Sequence, residues 1–221
     1  MVFSTTLSKL AMVCSRRFWI APREERCLMS RTQPIRQTDQ LAEFKNYYLR
    51  EHSNPRNYAL IIFGLNTALR ISDILKTTWD MVYNFENQRY RDHLYLREQK
   101  TGKNTVIPLN HAVTHTLESL RNASSGGQKD NFLFTSHKNQ KKPISRCQAY
   151  RIIKKAAVDT QLPEPISCHS LRKTFGYHAW KNGTPPALIM EIFNHSPYQI
   201  TKRYLCIEQD EKDDVFWGID L

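Results

Sequence analysis

The sequence predicts a mainly helical fold with a small antiparallel β-sheet, which places it in the α+β class. Apolar residues recur at helical spacing along most of the chain, and alternating apolar and polar residues occur in only one region. The 221 residues, 40% of them hydrophobic, can bury a core as one large domain or two small ones. Only 7 glycines and 10 prolines are present, which argues against a disordered or fibrous chain.

Residues 1–37 are predicted to be a basic N-terminal arm without fixed structure. Glu24 and Glu25 are the acids of its first part, where serine, threonine and basic residues are frequent. This composition suits a transit peptide, a start site that belongs at Met29, or a flexible arm that contacts a nucleic-acid backbone. The folded domain is predicted to span residues 38–221, with a tail from about residue 206.

Two helices are predicted after the arm. The Thr38-Asp39 pair can cap the first, and Pro55 begins a second, strongly apolar helix that belongs to the core. Arg70 then lies at the start of a further helix, for which Ser72 or Asp73 is the expected cap. A buried arginine needs an anionic partner, so we expect Arg70 to pair with Asp73 or another acid, or to hold an anionic ligand.

β-structure is predicted between residues 81 and 109. Residues 81–85 form one candidate strand, whereas residues 93–98 and 105–109 alternate in polarity. The intervening sequence QKTGKN is a turn signal, so a hairpin should carry Lys100 and Lys103 at its tip. A solvated turn is the alternative interpretation of these lysines.

The chain is predicted to return to helices after the hairpin. Residues 111–121 form one helix, residues 137–142 form a basic loop, and Ser145 caps a helix that reaches about Asp159. The side chains expected to point inward from this last helix are Tyr150, Ile152, Ile153, Ala156 and Ala157.

The segment from Ser167 to Ile207 contains the residues best suited to chemistry. A helix is predicted from Leu171 to the Asn182-Gly183 stop signal, and His169 and Arg172 are three positions apart, on one helical face. A second helix follows the Pro185-Pro186 pair. The sequence NHSP then ends it and places His195 in a loop, and a last helical stretch carries Tyr204.

The net charge of +11 and the pI near 9.5 favour a polyanionic partner, most simply a nucleic acid, with an inert basic surface as the alternative interpretation. The five cysteines are odd in number and scattered, which is typical of reduced thiols. No apolar run approaches the ~20 residues of a membrane span, so no membrane partner is expected. The residues assigned to DNA binding are Lys103, Lys141, Lys142, Arg146, Arg151 and Lys173.

The candidate catalytic side chains suit phosphodiester chemistry. Two arginines can clamp the non-bridging oxygens of a phosphate and neutralise charge in a pentavalent transition state. A tyrosine hydroxyl can attack phosphorus, and a lysine or histidine can protonate the departing oxygen. No metal or cofactor is required, because the protein supplies the cations. The set is Arg70, Lys100, His169, Arg172, His195 and Tyr204.

These residues resemble the tyrosine recombinases, also called phage integrases. The matching stretches are ALRISDIL, EQKTGKNTVIPL, CHSLRKTFG and FNHSPYQITKRYL, in the order of the family. The tyrosine follows the loop histidine by nine positions. The resemblance covers roughly residues 38–210 and is closest to integrases of phages and mobile elements. It implies the catalytic-domain fold of that family.

The resemblance also implies a role for each residue. Tyr204 would be the nucleophile that forms a 3′-phosphotyrosine, while Arg70 and Arg172 would hold the scissile phosphate. Lys100 would protonate the departing 5′-oxygen, and His169 would assist proton transfer at the tyrosine.

The resemblance also implies which residues support the catalytic set, what the protein binds and where it acts. His195 would hydrogen-bond the phosphate, and Asp73 would brace the first arginine. Double-stranded DNA would be the partner, with self-association as a tetramer, possible help from accessory DNA-binding proteins, and a cytoplasmic, nucleoid-associated location in a bacterium. The apolar Val215–Trp217 cluster is a candidate contact with a neighbouring subunit.

The sequence departs from the family pattern before residue 38. Family members usually carry a helical core-binding domain there, and residues 1–37 do not match one. A truncated integrase, a minimal recombinase, or a DNA-binding relative that relies on a partner would account for this departure. The alternative functions are a truncated, non-catalytic DNA-binding relative and, because it shares the phosphotyrosine chemistry, a type IB topoisomerase-like enzyme. His111 and His115 have a spacing that zinc could use, but no nearby acid or cysteine completes a site.

Overall fold

A computed structural model describes residues 32–50, 52–124, 127–137, 139–194, 201 and 216–219. These residues form a mainly helical α+β fold, which confirms the predicted class. The helices are α1 (Thr38–Arg50), α2 (Pro55–Thr67), α3 (Ile71–Ile74), α4 (Trp79–Val82), α5 (His111–Ala123), α6 (Arg146–Asp159), α7 (Cys168–Lys181) and α8 (Pro186–Ile192). The strands are β1 (Tyr83–Asn84), β2 (Arg89–Tyr90), β3 (His93–Arg97), β4 (Asn104–Pro108), β5 (Thr135–Ser136) and β6 (Asn139–Pro143).

The long helices begin where the sequence supplies caps. Asn54 accepts a hydrogen bond from the backbone of Asn57, and Pro55 occupies the first turn of α2, as predicted. Ser145 begins α6 with a reciprocal capping box that it forms with Gln148. Ser167 caps α7 in a similar way. These caps satisfy backbone N–H groups that a helix start otherwise leaves unpaired.

The strands form three separate two-stranded antiparallel sheets in the described residues, rather than one small sheet. The predicted hairpin is confirmed: β3 pairs with β4 from His93 opposite Pro108 to Arg97 opposite Asn104. Its polarity alternates, because Leu94 is fully buried whereas Tyr95 is 66% exposed.

Three local predictions were wrong. Residues 81 and 82 belong to α4, so the strand expected over 81–85 shrinks to β1. The expected loop at 137–142 is mostly β6, which pairs with β5 while its lysines stay exposed. Tyr150 is 46% exposed; Ala149 is the buried residue at that level of α6, because the helix turns its Ala149–Ile153–Ala156 side toward the core.

Helix α2 lies at the centre of the fold and packs against α1, α5 and α7. Phe63 on one side joins a cluster with Leu94 and Phe134, whereas Ile61 on another side joins Phe44 of α1. Gly64 permits a close approach of α7, since a Cβ there would lie 2.6 Å from Leu171 Cδ1. The end of α2 and the start of α7 are therefore held side by side.

Residues 32–36 are part of the folded domain, although the sequence assigned them to the arm. Ile35 is fully buried, its backbone N–H donates to Thr174 Oγ1 at 2.9 Å, and its carbonyl oxygen lies 3.0 Å from His178 Nε2. The domain thus begins by residue 32 rather than at 38. Residues 1–31 lie outside the described part of the chain.

The C-terminal apolar residues are exposed. Phe216 is 78% exposed and Trp217 is 87% exposed in a short helical turn, while Val215 lies outside the described residues. The described part of this terminus is therefore exposed, and its contact with a neighbouring subunit stays a prediction. Within the described ranges, none of the helices has the length and apolar character needed to cross a bilayer.

Candidate active site

Arg70 occupies the cap position of α3, directly after the turn that follows α2. Its backbone is extended and its side chain makes no capping hydrogen bond; neither Ser72 nor Asp73 caps this helix, contrary to the prediction, because both lie inside it. The guanidinium is 13% exposed, and Nη1 lies 2.6 Å from Oε2 of Glu98. The expected anionic partner of Arg70 is therefore Glu98 rather than Asp73.

Asp73 has a different function in the fold from the one implied by the resemblance. It is buried, and its Oδ1 accepts a hydrogen bond from the backbone N–H of Gln99 at 3.0 Å. The Gln99 side chain in turn donates to the carbonyl oxygen of Ser72 at 2.6 Å. Asp73 thus fastens the β3–β4 turn to α3 and does not itself brace Arg70.

Glu98 is a site residue that the sequence interpretation missed. It follows β3, is 1% exposed, and accepts a second hydrogen bond at Oε2 from Thr101 Oγ1 at 2.7 Å. Burial alone raises the pKa of this carboxyl, but the hydrogen bonds from Thr101 and Arg70 outweigh burial and lower it. The alternation of β3 contained the signal, since Leu94, Leu96 and Glu98 share one face of the strand.

Lys100 lies in the exposed turn between β3 and β4. The turn is closed by hydrogen bonds from Glu98 N to Lys103 O and from Gly102 N to Glu98 O, both 2.9 Å. Gly102 adopts φ +68°, a conformation that glycine reaches without strain. The neighbours of Lys100 on both sides, Gln99 and Thr101, are bonded to Asp73 and Glu98. The turn that carries Lys100 is therefore joined to Arg70 through Glu98.

Arg172 lies on α7 and is 1% exposed. Its Nη1 donates to the carbonyl oxygen of Ala68, and its Nη2 donates to that of Phe193 at 2.6 Å. The guanidinium carbon also lies 4.6 Å from the centre of the Phe193 ring. Because Ala68 precedes Arg70 by two residues and Phe193 precedes His195 by two, Arg172 joins the two segments that carry these candidates.

His169 lies on the first turn of α7 and is exposed to solvent on part of its surface. Desolvation is the main cause that lowers its pKa below the ordinary 6.5, and the nearby positive charges lower it further. Those charges belong to Arg172, Lys173, Arg146 and Arg70. The lowered pKa favours the neutral imidazole, which is able to accept a proton.

His195 and Tyr204 lie outside the described residues. The chain that leads to them is anchored, since Asn194 Nδ2 donates to Thr105 Oγ1 of β4 at 3.3 Å. Thr201, the one described residue of the predicted last helix, is helical and fully buried. Asn194 thus contacts the hairpin, and Thr201 is part of the buried interior.

The basic residues assigned to DNA divide into two groups. Lys173 is 2% exposed, and its Nζ donates to the carbonyl oxygen of Thr32 at 2.6 Å. A buried ammonium that holds the N-terminal segment cannot lie on a DNA-facing surface, so this assignment is corrected. The remaining members are exposed, namely Lys103, Lys141, Lys142, Arg146 and Arg151.

Metal chemistry finds no support in the described residues, which contain no group of three or more potential His, Cys, Asp or Glu ligands. His111 and His115 are exposed on α5 with ring centres 6.0 Å apart. Cys147 and Cys168 are unpaired thiols. These observations agree with the interpretation of His111 and His115 as surface residues.

Comparisons with known proteins place this geometry in context. The profile of the phage integrase family matches residues 34–211. The probable integrase/recombinase YoeC of Bacillus subtilis (strain 168) is 43% identical over 182 residues, which cover 80% of this chain and 91% of YoeC.

Two solved structures share the fold. The crystal structure of XerA recombinase aligns with a TM-score of 0.68 and 18% identity, over 84% of this chain and 64% of XerA. The Tn1549 transposon integrase (residues 82–397), solved with circular intermediate DNA, aligns with a TM-score of 0.59 and 21% identity, over 83% of this chain and 64% of that one. The chain thus spans slightly less than two thirds of either structure.

Proposed function

This chain belongs to the phage integrase family of DNA strand-transferring enzymes, and we propose that it is a site-specific recombinase that cuts and rejoins double-stranded DNA through a phosphotyrosine at Tyr204. The observation that carries the proposal is the convergence of Arg70, the Lys100 turn and Arg172. Contacts of 2.6 Å join Arg70 to Glu98 at the base of that turn, and Arg172 to the backbone before His195.

The proposed cleavage step needs no external co-reactant. The Tyr204 oxygen attacks the scissile phosphorus, the bond from phosphorus to the 5′-oxygen breaks, and a 3′-phosphotyrosine forms. Lys100 gives its proton to the departing 5′-oxygen, and neutral His169 takes part in removing the tyrosine proton. The reverse sequence rejoins the strands with the energy of the phosphodiester bond retained.

The two arginines and His195 stabilise charge on the phosphate in this mechanism. Guanidinium groups bind phosphate oxygens with paired, charge-assisted hydrogen bonds, which strengthen as charge develops in the transition state. The buried Arg172 is held in place by the carbonyl oxygens of Ala68 and Phe193. Because the guanidinium is 1% exposed, it must become accessible before it can bind the scissile phosphate.

DNA binding is proposed for the exposed basic residues. The net charge is +11, and Arg146 at the start of α6 is close enough to His169 to lower the pKa of its imidazole. Phosphate contacts from Lys103, Lys141, Lys142 and Arg151 would extend this surface. The Tn1549 integrase, which has the same fold, was solved with DNA bound.

Self-association as a tetramer on DNA is the second part of this proposal. The exposed Phe216, Trp217 and Ile219 form an apolar end of the chain that a neighbouring subunit could cover. Accessory DNA-binding proteins would supply contacts on either side of the catalytic domain. Light scattering with and without DNA, on the wild type and on Trp217→Ser, tests the contribution of this end.

Covalent trapping tests the central proposal. The protein is incubated with a pool of nicked duplexes whose central segment is randomised, and denaturation-resistant adducts are isolated and sequenced. A nick near the cleavage site lets the short 5′-hydroxyl fragment diffuse away, so the phosphotyrosine accumulates. We expect wild type to form adducts on a defined sequence and Tyr204→Phe to form none.

The other outcomes separate the alternative functions. Sequence-selective binding without any adduct would indicate a non-catalytic DNA-binding relative. Adducts at scattered sequences, together with relaxation of supercoiled plasmid and no recombinant products, would indicate a topoisomerase-like enzyme. Either outcome contradicts the proposed recombinase.

A further inference from the structure

We infer that Glu98 is a positioning residue for strand cleavage, which fixes the Arg70 guanidinium and the turn that carries Lys100 in one arrangement. This inference rests on the proposed function, because it concerns the same phosphate site. One carboxylate oxygen, Oε2, accepts hydrogen bonds from Arg70 at 2.6 Å and from Thr101 at 2.7 Å. Glu98 Oε2 therefore links Arg70, which is proposed to bind the phosphate, to Thr101, the neighbour of the proposed general acid Lys100.

The surroundings of Glu98 allow it little movement. Its backbone N–H and carbonyl both take part in closing the turn, and the next residue, Gln99, is bonded to Asp73 and Ser72. The carboxylate is 1% exposed, whereas the Arg70 guanidinium keeps 13% of its surface open. The arginine is thus held from its buried side and accessible from the other.

The contact leaves Arg70 able to bind phosphate. Within the described part of the chain, Glu98 engages Arg70 through Nη1, and a guanidinium has further N–H groups on its other nitrogens. Orientation of these donors matters, because a misplacement of about 1 Å in an active site can cost about 100-fold in rate. A flexible arginine would have to find that orientation in each turnover.

Two other functions of Glu98 predict different kinetics. If Glu98 only neutralised a buried charge, its amide variant would change stability but not the rate of the folded enzyme. If Glu98 competed with the phosphate for Arg70, the amide variant would cleave faster than wild type. A positioning residue instead predicts DNA binding that is retained, or strengthened by the extra positive charge, together with slower cleavage.

The experiment measures single-turnover adduct formation on the duplex selected in the trapping experiment, at saturating DNA, with binding measured separately. The variants are Glu98→Gln and Thr101→Val, and Glu86→Gln is the matched control because it removes the same charge from an exposed turn. We expect Glu98→Gln to lower the rate about 10- to 100-fold without weakening DNA binding. The control should cleave at the wild-type rate.

A modified substrate separates the loss of cleavage rate that comes from the Arg70 contact from the loss that comes from the Thr101 contact. When sulfur replaces the bridging 5′-oxygen, the departing thiolate needs no proton, so the contribution of Lys100 disappears. We expect this substrate to restore Thr101→Val to the wild-type rate, since that variant disturbs the turn alone. Glu98→Gln should recover only in part, because its Arg70 contact is also altered. In an Arg70→Ala background, Glu98→Gln should lower the rate much less than it does alone.

The outcomes are distinguishable from failure of the proposed function. Absence of an adduct with wild type contradicts the recombinase itself. A wild-type adduct with Glu98→Gln cleaving as fast or faster contradicts the positioning function alone. If Glu98→Gln does not fold, as judged by circular dichroism, Thr101→Val decides: an unaltered rate, or a loss that the sulfur substrate does not repair, overturns the inference.

Discussion

Arg172 Nη2 donates to the carbonyl oxygen of Phe193 at 2.6 Å while Nη1 donates to that of Ala68, so one guanidinium joins two distant loops. Lysine carries its three donors on a single nitrogen and lacks the planar fork of two nitrogens that spans these carbonyl oxygens. We expect Arg172→Lys to abolish adduct formation and to lower the free energy of unfolding by about 3 kcal/mol. Urea unfolding and covalent trapping measure the two effects.

The matched control for that variant is Arg151→Lys, which makes the same exchange on the exposed side of α6. It should change the free energy of unfolding little, since substitutions of exposed residues usually change it by no more than about 0.5 kcal/mol. If Arg172→Lys retained both stability and cleavage, the bridging function of Arg172 would be wrong.

The lowered pKa of His169 predicts an acid limit to cleavage. Above the ordinary value of 6.5 the imidazole is neutral, and the single-turnover rate should not depend on this group. As the pH falls below 6.5 and through the lowered pKa, protonation removes the proton acceptor and the rate should fall. His169→Gln should cleave more slowly at neutral pH, and its rate should not fall on acidification in this range. If the rate of the variant still falls, the acid limit belongs to another titrating group.

The same shift has a consequence for stability. Because the folded state binds a proton at His169 less readily than the unfolded state, the difference contributes stability above pH 6.5 that is lost on acidification through the lowered pKa. Thermal unfolding of wild type and His169→Gln across this range checks the sign. The pH dependence of the wild type should be the steeper of the two.

The close contact between α2 and α7 predicts a cost for any side chain at position 64. In Gly64→Ala the new Cβ would lie 2.6 Å from Leu171 Cδ1, and Leu171 is itself 1% exposed. We expect a loss of about 1–3 kcal/mol in the free energy of unfolding, typical of overpacking. A Gly64→Ala, Leu171→Ala double variant should lose less than the sum of its single variants; simple additivity would show that the two residues do not compete for space.

The separation of Lys173 from the exposed lysines predicts different salt dependences of DNA binding. Removing Lys141 and Lys142 should lower the slope of log K against log salt by about 2, near one per lost phosphate contact. Lys173→Met should leave the slope unchanged and lower stability by about 1 kcal/mol, because it loses the bond to Thr32. A smaller slope for Lys173→Met than for the wild type would show that Lys173 contacts DNA.

Local sequence patterns predicted the elements of the site better than the contacts between them. The Ser145 cap, the start of α2 at Pro55 and the alternation of β3 depend on residues close in the chain, and the structure forms all three as expected. The partner of Arg70 depends on how the hairpin packs against α3, about 28 positions away, and both Asp73 and Glu98 satisfied the requirement for an anion.

Lys173 is a second residue whose environment depends on a contact with a distant part of the chain. On α7 its charge favours solvent, but the side chain is buried and donates to the carbonyl oxygen of Thr32. Residues 32–36 have no strong pattern, so their packing could not be predicted from spacing. A contact with a distant, irregular segment is therefore one reason why sequence analysis assigned Lys173 wrongly.

The bridge formed by Arg172 has a consequence for biosynthesis. A nascent chain that has released Arg70 and Lys100 from the ribosome still lacks α7, and therefore lacks the clamp that holds the two loops together. The proposed nucleophile emerges later still. An unfinished polypeptide without α7 thus lacks this clamp, and the proposed site can assemble only after α7 has emerged.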